Sequence, residues 1–307
     1  MDIDKDLLYR FENGLDPQNI KNSSIPASVI GFGEISTIFQ IGDNSDVAFK
    51  RMPLFSNRMS AEKYRLQYHE YCDKLIEAGV KLPDHETIIL QVPKRPVVFY
   101  IAQKQLPKDR FAHKLIHVLN PMNTSRLIEQ IVSEISKIWH FNRSSRLSLE
   151  LSIDGQLSNW ACLEKGAETE IVYIDTSTPL YKKNGVEQLD PELLLQSAPS
   201  FLRWIIRWLF LKDVMNRYYD QRLVYIDLAG NLYKEQRPDL ILKTIDIINQ
   251  RLSDNLKPLT MKEVEKYYRE DKLIWTLFLA FRRIDRWLTI KLLRKRYEYV
   301  LPGKIKR

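Results

Sequence analysis

The chain has 307 residues, of which 44% are hydrophobic and 28% charged, proportions typical of a folded globular protein and not of a disordered one. Its two cysteines, Cys72 and Cys162, lie far apart and belong to no Cys-x-x-Cys pair, which argues against a disulfide framework or a zinc site and indicates a reducing compartment. Residues 1–14 are acidic and lack the basic start and apolar core of a signal peptide, so a cytoplasmic location is expected.

The net charge is concentrated at the C-terminal end. Residues 282–307 contain ten Lys or Arg and two acidic residues, a net charge of +8, so the rest of the chain is neutral overall. Such a tail can bind phosphates, anionic lipid or an acidic partner, or it can simply be solvated. An anionic membrane surface is therefore a candidate partner, with a membrane-peripheral location as the alternative to a purely cytoplasmic one, and no specific nucleic acid is expected.

The first third of the chain changes from a helical to a β pattern. Residues 1–26 contain a short helical candidate and a polar stretch, which predicts an extension that packs on the first lobe. From Ala27 onward we expect strand, glycine turn, strand, turn and strand. A dinucleotide fingerprint at Gly31 and Gly33 would need a helix next, but residues 37–41 are β-branched and aromatic. They favour a hairpin whose bare backbone could approach phosphates.

The next elements complete a predicted sheet with one helix. The third strand carries Lys50 after Val-Ala-Phe, and this lysine either stays in water at a sheet edge or binds phosphates. A helix from Ser60 to about Ala78 follows, with tyrosines at helical spacing on its buried face. Strands over residues 87–92 and 97–103 make five in all. The break at residues 105–108 is the predicted hinge, so we place the first lobe at residues 27–106.

Beyond the hinge the pattern is helical, and three oxygen-bearing side chains then follow in order. Asp154 lies five positions before Asn159, and Asp175 ends a β-like run. Phosphoryl transfer needs one carboxylate to orient the attacking hydroxyl, and an amide with a second carboxylate to hold Mg²⁺. The alternative is structural, because Asp154-Gly155 between alternating runs is also a strong hairpin turn signal.

The sequence of these elements resembles the protein-kinase-like superfamily, in which Asp-x-x-x-x-Asn precedes a metal-binding Asp. The resemblance covers about residues 27–180 and is closer to aminoglycoside and other small-molecule phosphotransferases than to protein Ser/Thr kinases. It implies an α+β, bilobal protein-kinase-like fold with a five-stranded antiparallel N-lobe that carries one helix. The helical C-lobe would span residues 107–307, with a catalytic loop at 150–180 and the basic tail at 282–307.

The resemblance also implies roles for single residues, with ATP and Mg²⁺ as cofactors and a hydroxyl-bearing small molecule as acceptor. Backbone near residues 103–106 would meet adenine. Asp154 would have the catalytic role of orienting the acceptor hydroxyl, and Asn159 and Asp175 would bind the metal. Lys50 would bind the phosphates and would be positioned by Glu70, with Glu62 and Glu77 as other candidates. Gly31, Gly33 and Ser36 would cover the nucleotide.

Three departures from the family pattern leave the activity open. Ser-Ile-Asp at 152–154 replaces His-Arg-Asp, Asp-Thr-Ser at 175–177 replaces Asp-Phe-Gly, and Gln156 stands where Ser/Thr kinases carry lysine. They argue against an ordinary protein kinase. A small-molecule kinase is expected first, a nucleotide-binding pseudokinase that serves as an interaction module second, and a peripheral membrane adaptor without catalysis third.

The remainder, from Asp190, is helical and rich in Trp, Tyr and Arg. Residues 201–211 are too few to span a bilayer, which takes ~20 residues, so they predict a core helix or, less favoured, an interfacial one. Residues 275–290 adjoin the basic tail, which makes membrane contact a stronger candidate there. Asp227 follows an apolar run and is a rival acidic site, although a loop turn also explains it.

Overall fold

The computed structural model describes residues 1, 3–33, 35–144, 149–165, 168–196, 198–199, 201–204, 211–253 and 255–303. Its first part contains five strands and two helices. They are helix α1 (Lys5–Gly14), strands β1 (Ala27–Phe32), β2 (Thr37–Ile41) and β3 (Val47–Phe55), helix α2 (Arg58–Glu77), and strands β4 (His85–Gln91) and β5 (Val97–Lys104).

The five strands form one antiparallel sheet in the order β1-β2-β3-β5-β4. Side chains alternate between its two faces. One face packs on α2 through Met52, Phe99 and Ile101, and the other packs on α1 through Phe39 and neighbouring residues. The central strands are buried on both sides because each face has its own helix. The expected five-stranded antiparallel sheet with a helix inserted after the third strand is confirmed.

The rest of the described chain is mainly helical, which confirms the α+β class. Its helices are α3 (Ala112–Leu115), α4 (Pro121–Ser144), α5 (Glu192–Gln196), α6 (Leu211–Tyr218), α7 (Gln221–Lys234), α8 (Ile241–Asn249) and α9 (Met261–Trp287). Short strands lie between α4 and α5: β6 (Leu149–Leu151), β7 (Trp160–Lys165), β8 (Glu168–Tyr173), β9 (Tyr181–Lys183) and β10 (Val186–Glu187). The apolar stripe of α4 is fully buried and packs against β6 and α8.

The strands on either side of Asp154 do not pair with each other. Strand β6 pairs with β9, whereas β7 pairs with β8. Neither Asp154 nor Gly155 is among the described residues with positive φ, as a type I′ turn would require. The hairpin interpretation of Asp154-Gly155 is therefore wrong. A Cβ on Gly155 would lie 3.0 Å from Ile135 Cδ1, so the glycine allows this loop to approach α4 closely.

Two expectations about the C-terminal half need correction. Asp227 lies inside α7 and not at a strand end or in a loop. The tail is not a free basic extension over its described part, because Arg282 and Asp285 are buried in α9 and Tyr297 is buried beyond it. Gln18 Nε2 donates to Tyr297 O at 3.0 Å, so the tail packs against the N-terminal extension.

Two observations concern the segments that the sequence linked to membranes. Most of the predicted helix at 201–211, residues 205–210, lies outside the described residues, and with it the choice between a core and an interfacial helix. Among the helices that the structure describes, none is both long and apolar enough to cross a membrane. The segment 275–290 falls on the last turns of α9 and the π-helical turn that follows it.

Candidate active site

Lys50 reaches across to the end of β8. Its Nζ donates to Ile174 O at 2.6 Å and lies 3.3 Å from Asp175 Oδ1. The two side chains come from positions 125 residues apart. Lys50 is 4% exposed, so its ammonium has exchanged water for these two oxygens. The structure thus joins the predicted phosphate-binding lysine to a predicted metal ligand.

The carboxylate of Asp175 is held at one oxygen and open at the other. Burial would raise the pKa of Asp175, but the Lys50 charge and hydrogen bonds from Ser177 outweigh it and lower that pKa. Ser177 Oγ donates to Asp175 Oδ1 at 2.6 Å. Every described hydrogen bond of this carboxylate falls on Oδ1, and the side chain remains 30% exposed. Oδ2 of an ionised Asp175 is therefore available to a cation.

Asn159 and Asp154 lie at the start of the same hairpin. Ile174 N donates to Asn159 O at 2.9 Å, which places Asn159 across the β7–β8 hairpin from the residue preceding Asp175. The Asn159 side chain donates from Nδ2 to Asp154 O at 3.3 Å, and Asp154 Oδ1 accepts from Gln156 N at 3.1 Å. The β7–β8 hairpin therefore ties the three predicted catalytic and metal-binding positions into one loop cluster.

Two buried tyrosines lie within range of both carboxylates. Burial raises the pKa of Tyr173 and of Tyr71, and the negative charges of Asp154 and Asp175 add to that increase in each case. The Tyr173 hydroxyl is also hydrogen-bonded by the Asp154 backbone. The same two tyrosines are therefore influenced by both carboxylates.

The predicted nucleotide-covering hairpin is present between β1 and β2. Gly33 N donates to Ser36 O at 3.0 Å, and a Cβ on Gly33 would lie 2.6 Å from Ser36 Oγ, so a side chain there would force the Ser36 hydroxyl to move. Strand β1 shifts register between Val29 and Gly31, which is typical of a β-bulge. The turn lies near the lysine, because Ile38, two residues after Ser36, pairs with Lys50 across β2 and β3.

The structure does not bring Glu70 to Lys50. Glu70 Oε2 accepts from the Tyr181 hydroxyl at 2.8 Å, and its other oxygen is ion-paired with Lys183. Glu70 follows the inward-facing Tyr68 by two residues, and two residues turn a helix by about 200°. Glu70 therefore lies on the side of α2 away from the side that Tyr68 buries. The alternative candidates also pair elsewhere, Glu62 with Arg58 and Arg65, and Glu77 with Lys74.

Helix α2 instead presents tyrosine hydroxyls to the active-site loops. The Tyr64 hydroxyl donates to Ser177 O at 2.7 Å, and the Tyr71 hydroxyl donates to Ser152 O at 2.9 Å. Tyr68 accepts from Thr176 Oγ1 at 3.1 Å. These bonds fix the segments that carry Asp154 and Asp175. Sequence reasoning identified the tyrosines only as a buried stripe, although a buried tyrosine needs a hydroxyl partner and that need was the available signal.

A second polar group, from α7, borders the predicted catalytic loop. Lys234 Nζ donates to Gln156 Oε1 at 3.1 Å, and Asn231 Oδ1 accepts from Leu157 N at 3.1 Å. Burial and the charge of Asp271 raise the pKa of Asp227 to about 6. A cation from another helix thus lies beside Gln156, the position where Ser/Thr kinases carry their own lysine.

The donor set fits Mg²⁺ only in company with a nucleotide. Within the described ranges, no group of three or more His, Cys, Asp or Glu could hold a metal ion. Asp175 and Asn159 offer one carboxylate and one amide. Mg²⁺ commonly binds through one or two carboxylates, water and substrate phosphates, so this pair suits a metal that arrives with phosphates and does not suit an all-protein metal site.

Three solved structures are similar to the chain at low identity. WaaP in complex with acyl carrier protein is 14% identical, with 70% of this chain and 88% of that chain covered and a TM-score of 0.33. The GDP complex of aminoglycoside 2′-phosphotransferase-IIIa is 12% identical, with 75% and 93% covered and a TM-score of 0.35. The kinase domain of maize sucrose-induced receptor kinase 1 bound to AMP-PNP is 12% identical, with 80% and 98% covered and a TM-score of 0.33.

Two of these three proteins are a phosphotransferase and a kinase domain. At such TM-scores the likenesses carry no argument about what this chain does. No curated protein matches the sequence. One family model matches residues 24–286, which include both the sheet and most of the helical part. The chain therefore belongs to DUF6206, a family of unknown function.

Proposed function

We propose that the protein transfers a phosphoryl group from Mg²⁺-bound ATP to a hydroxyl group of a small molecule. The observation that carries this proposal is the contact of Lys50 with Asp175, formed next to the Asn159–Asp154 loop. The ammonium of Lys50 thus meets, from a distant part of the sequence, a loop cluster that carries the carboxylates of Asp154 and Asp175 and the amide of Asn159. Phosphoryl transfer needs this combination, because its catalysis is mainly positioning and charge neutralisation.

Each residue has a separate task in this proposal. Lys50 binds the phosphates, since it pairs with Ile38 close to the glycine turn while its ammonium reaches Ile174 O and Asp175. Asp175, through Oδ2, and Asn159 would hold Mg²⁺, which would neutralise charge on the phosphates. Asp154 orients the acceptor hydroxyl and accepts its proton.

The glycine turn and the hinge would hold the nucleotide itself. Backbone at Gly31, Gly33 and Ser36 would cover the phosphates. Adenine would lie against residues 103–106. Two amides of that hinge are already engaged, because Lys104 N donates to Asp84 O and Gln105 N donates to Asp46 O. Adenine would therefore meet the remaining hinge groups.

A nucleotide-binding module without catalysis is the second candidate. One observation favours it: Lys50 has no glutamate from α2 beside it and instead bonds Ile174 O and Asp175. In kinase-like enzymes that lysine–glutamate pair must be in place for activity. A protein of this kind would bind Mg²⁺-ATP and use the ordered lobes as an interaction surface.

Two variants separate the candidates. We expect Asp154→Asn to keep the Mg²⁺-dependent stabilisation by ATP in a thermal-shift assay, while turnover of a panel of hydroxylated metabolites falls on the order of 10²-fold or more. Asp175→Ala should lose the Mg²⁺-dependent part of that stabilisation. Asp43→Asn, an exposed turn residue, is the control and should behave as wild type.

The outcomes point in different directions. Undiminished turnover in Asp154→Asn would remove Asp154 from the mechanism. No turnover in wild type, together with intact Mg²⁺-dependent binding, would favour the binding module. A folded Asp175→Ala with an unchanged response to Mg²⁺ would contradict the metal assignment. For location we propose the cytoplasm, with an anionic membrane surface as a partner of the C-terminal region.

A further inference from the structure

The exposed face of α9 changes character along its length. Its first turns expose Lys262, Lys266 and Arg269. From Leu273 onward the same face is apolar, and its side chains are far from buried. We call these residues the apolar stripe: Leu273 (60% exposed), Leu277 (47%), Ala280, Ile284 (48%) and Trp287 (59%).

The stripe is a continuous surface and not a scatter of single residues. Its members recur every three or four positions, so they lie on one side of the helix. The opposite side packs inward through Val264, Arg282 and Asp285, which are buried. From Leu273 to Trp287 the stripe is about 21 Å long at 1.5 Å per residue. An exposed apolar surface of this length marks an interaction site.

Cations border the stripe. Arg283 is exposed on its flank, and Lys291, Arg294 and Lys295 are exposed just beyond its end, where Leu292 and Leu293 extend the apolar surface. An apolar face bordered by Lys and Arg, with Trp among its residues, is the pattern of a helix that lies in a membrane interface.

A second copy of the chain fits this face less well. In a two-fold dimer the same patch meets itself, so the bordering cations of one copy would approach those of the other. Like charges brought together in this way oppose association. A surface of negative charge over an apolar layer satisfies both parts of the patch.

We propose that α9 lies on an anionic lipid surface, with the apolar stripe in the headgroup layer and Arg283, Lys291 and Lys295 on the lipid phosphates. This contact rests on the membrane partner of the proposed function and deepens it: it names a face of α9, mostly within residues 275–290, and it does not need a free basic tail. Residues 296–299 are engaged elsewhere, since Arg296 donates to Leu15 O at 2.7 Å and Glu298 bonds Arg51. The helix, and not the tail as a free basic segment, makes the contact.

The apolar part is tested by co-sedimentation of the full chain with phosphatidylcholine vesicles that contain or lack phosphatidylserine. We expect wild type to sediment with the anionic vesicles, and a Leu277→Glu/Ile284→Glu variant to stay in the supernatant. The matched control is Leu66→Glu/Val118→Glu, which places the same charges at apolar residues that are 68% and 77% exposed outside α9. This control should sediment as wild type.

The charged part is tested in the same assay. Lys291→Gln/Lys295→Gln should bind anionic vesicles about thirtyfold more weakly, because a lysine near such a surface contributes about 1 kcal/mol and 1.4 kcal/mol is tenfold. Lys262→Gln/Lys266→Gln, from the charged half of the same helix, should bind as wild type. Raised salt should weaken the binding of wild type in the same direction.

Two results would overturn the proposal. One is equal sedimentation of wild type and the Leu277→Glu/Ile284→Glu variant. The other is a wild-type dimer, measured by light scattering, that this variant loses while neither protein binds vesicles, which would assign the stripe to a second copy. Circular dichroism of each variant shows whether it is folded, and the charge variants, which touch no core residue, test the proposal independently of the stripe variant.

Discussion

Neighbouring residues of β3 form two ion pairs that differ in exposure to solvent. Lys50, on one face of the strand, meets Asp175, whose side chain is 30% exposed. Arg51 points to the back of the sheet, where it bonds both oxygens of Glu12 at 2.7 Å, and both partners are almost fully buried. One strand therefore carries an open ion pair on one face and a closed one on the other.

The closed pair is fully satisfied. Arg51 also donates to Glu298 O at 2.7 Å, and the Tyr100 hydroxyl donates to Glu12. Burial would raise the pKa of Glu12, but Arg51 and these hydrogen bonds lower it. In the open pair, Asp175 Oδ2 has no described hydrogen bond and the Asp175 side chain remains partly exposed to solvent. Ion pairing alone therefore does not mark a functional site, and it is this partly exposed carboxylate that distinguishes the Lys50–Asp175 pair.

The largest effect is expected on the closed side. Arg51→Met should lower the free energy of unfolding by about 3–5 kcal/mol, because it leaves the buried Glu12 carboxylate with only Arg95, 3.9 Å away, as a cation. Urea denaturation followed by circular dichroism measures this. Lys63→Met, at an exposed lysine of α2, is the control. A loss below about 1 kcal/mol would show that the back of the sheet admits water and that the two pairs are alike.

On the open side the main effect should be on ligand binding. Lys50→Met should lose the stabilisation that Mg²⁺-ATP gives wild type, which amounts to about 2.7 kcal/mol at 100-fold the dissociation constant. Thermal shift with and without nucleotide measures it, and Lys63→Met should respond as wild type. If Lys50→Met still responds fully to ATP, Lys50 is as structural as Arg51.

Acid should separate the two pairs. The pKa values of Glu12 and Asp175 are lowered in the fold, so each carboxylate stabilises above its ordinary value, 4.5 or 3.8, and loses that contribution as pH falls through its folded pKa. In Arg51→Met the burial of Glu12 is no longer offset by Arg51, so the contribution of the ionised carboxylate to stability changes from favourable to unfavourable above its ordinary pKa. The stability gap between wild type and Arg51→Met should therefore shrink by at least about 1 kcal/mol from neutral pH to below pH 4.

A gap that is constant with pH would mean that Glu12 is not the group left unpaired. The matching gap for Lys50→Met should change less, because the Asp175 side chain remains in contact with solvent. Urea denaturation at a series of pH values gives both curves.

The smallest effect concerns the tyrosines that hold the open side. Tyr64→Phe removes the hydrogen bond to Ser177 O and should cost about 1 kcal/mol of stability. Tyr9→Phe, at a tyrosine that is 41% exposed on α1, should change nothing measurable. Urea midpoints of the two variants give the comparison, and equal midpoints would remove Tyr64 from the support of the loop.

The first lobe was predictable because its signals are local. Strand alternation, glycine turns and the Val-Ala-Phe-Lys run each occupy a few residues, and they predicted the five strands along the chain and the strand that carries Lys50. Asp154, Asn159 and Asp175 were found by residue type and order, and the structure brings them to one loop cluster. Their roles and the domain boundaries at residues 26 and 106 stay predictions.

What the sequence missed depends on distant partners. Glu70 was placed by its spacing from Lys50, but spacing does not give the rotation of α2, and its partners Tyr181 and Lys183 lie more than a hundred residues away. The Arg51 pair was missed for the same reason. The tail was read from its charge, although the tyrosines within it, such as the buried Tyr297, indicated that it packs.

The bond between Arg51 and Glu298 also sets an order of events during synthesis. A nascent chain can join Arg51 to Glu12 early, since 39 positions separate them, but Glu298 is 247 positions from Arg51 and leaves the ribosome late. The N-terminal lobe is made before Glu298, so until then the Arg51 guanidinium would lack its hydrogen bonds to Glu298. The Arg51–Glu298 bond therefore forms only after the helical part between these residues has been made, although the N-terminal lobe that carries Arg51 is made earlier.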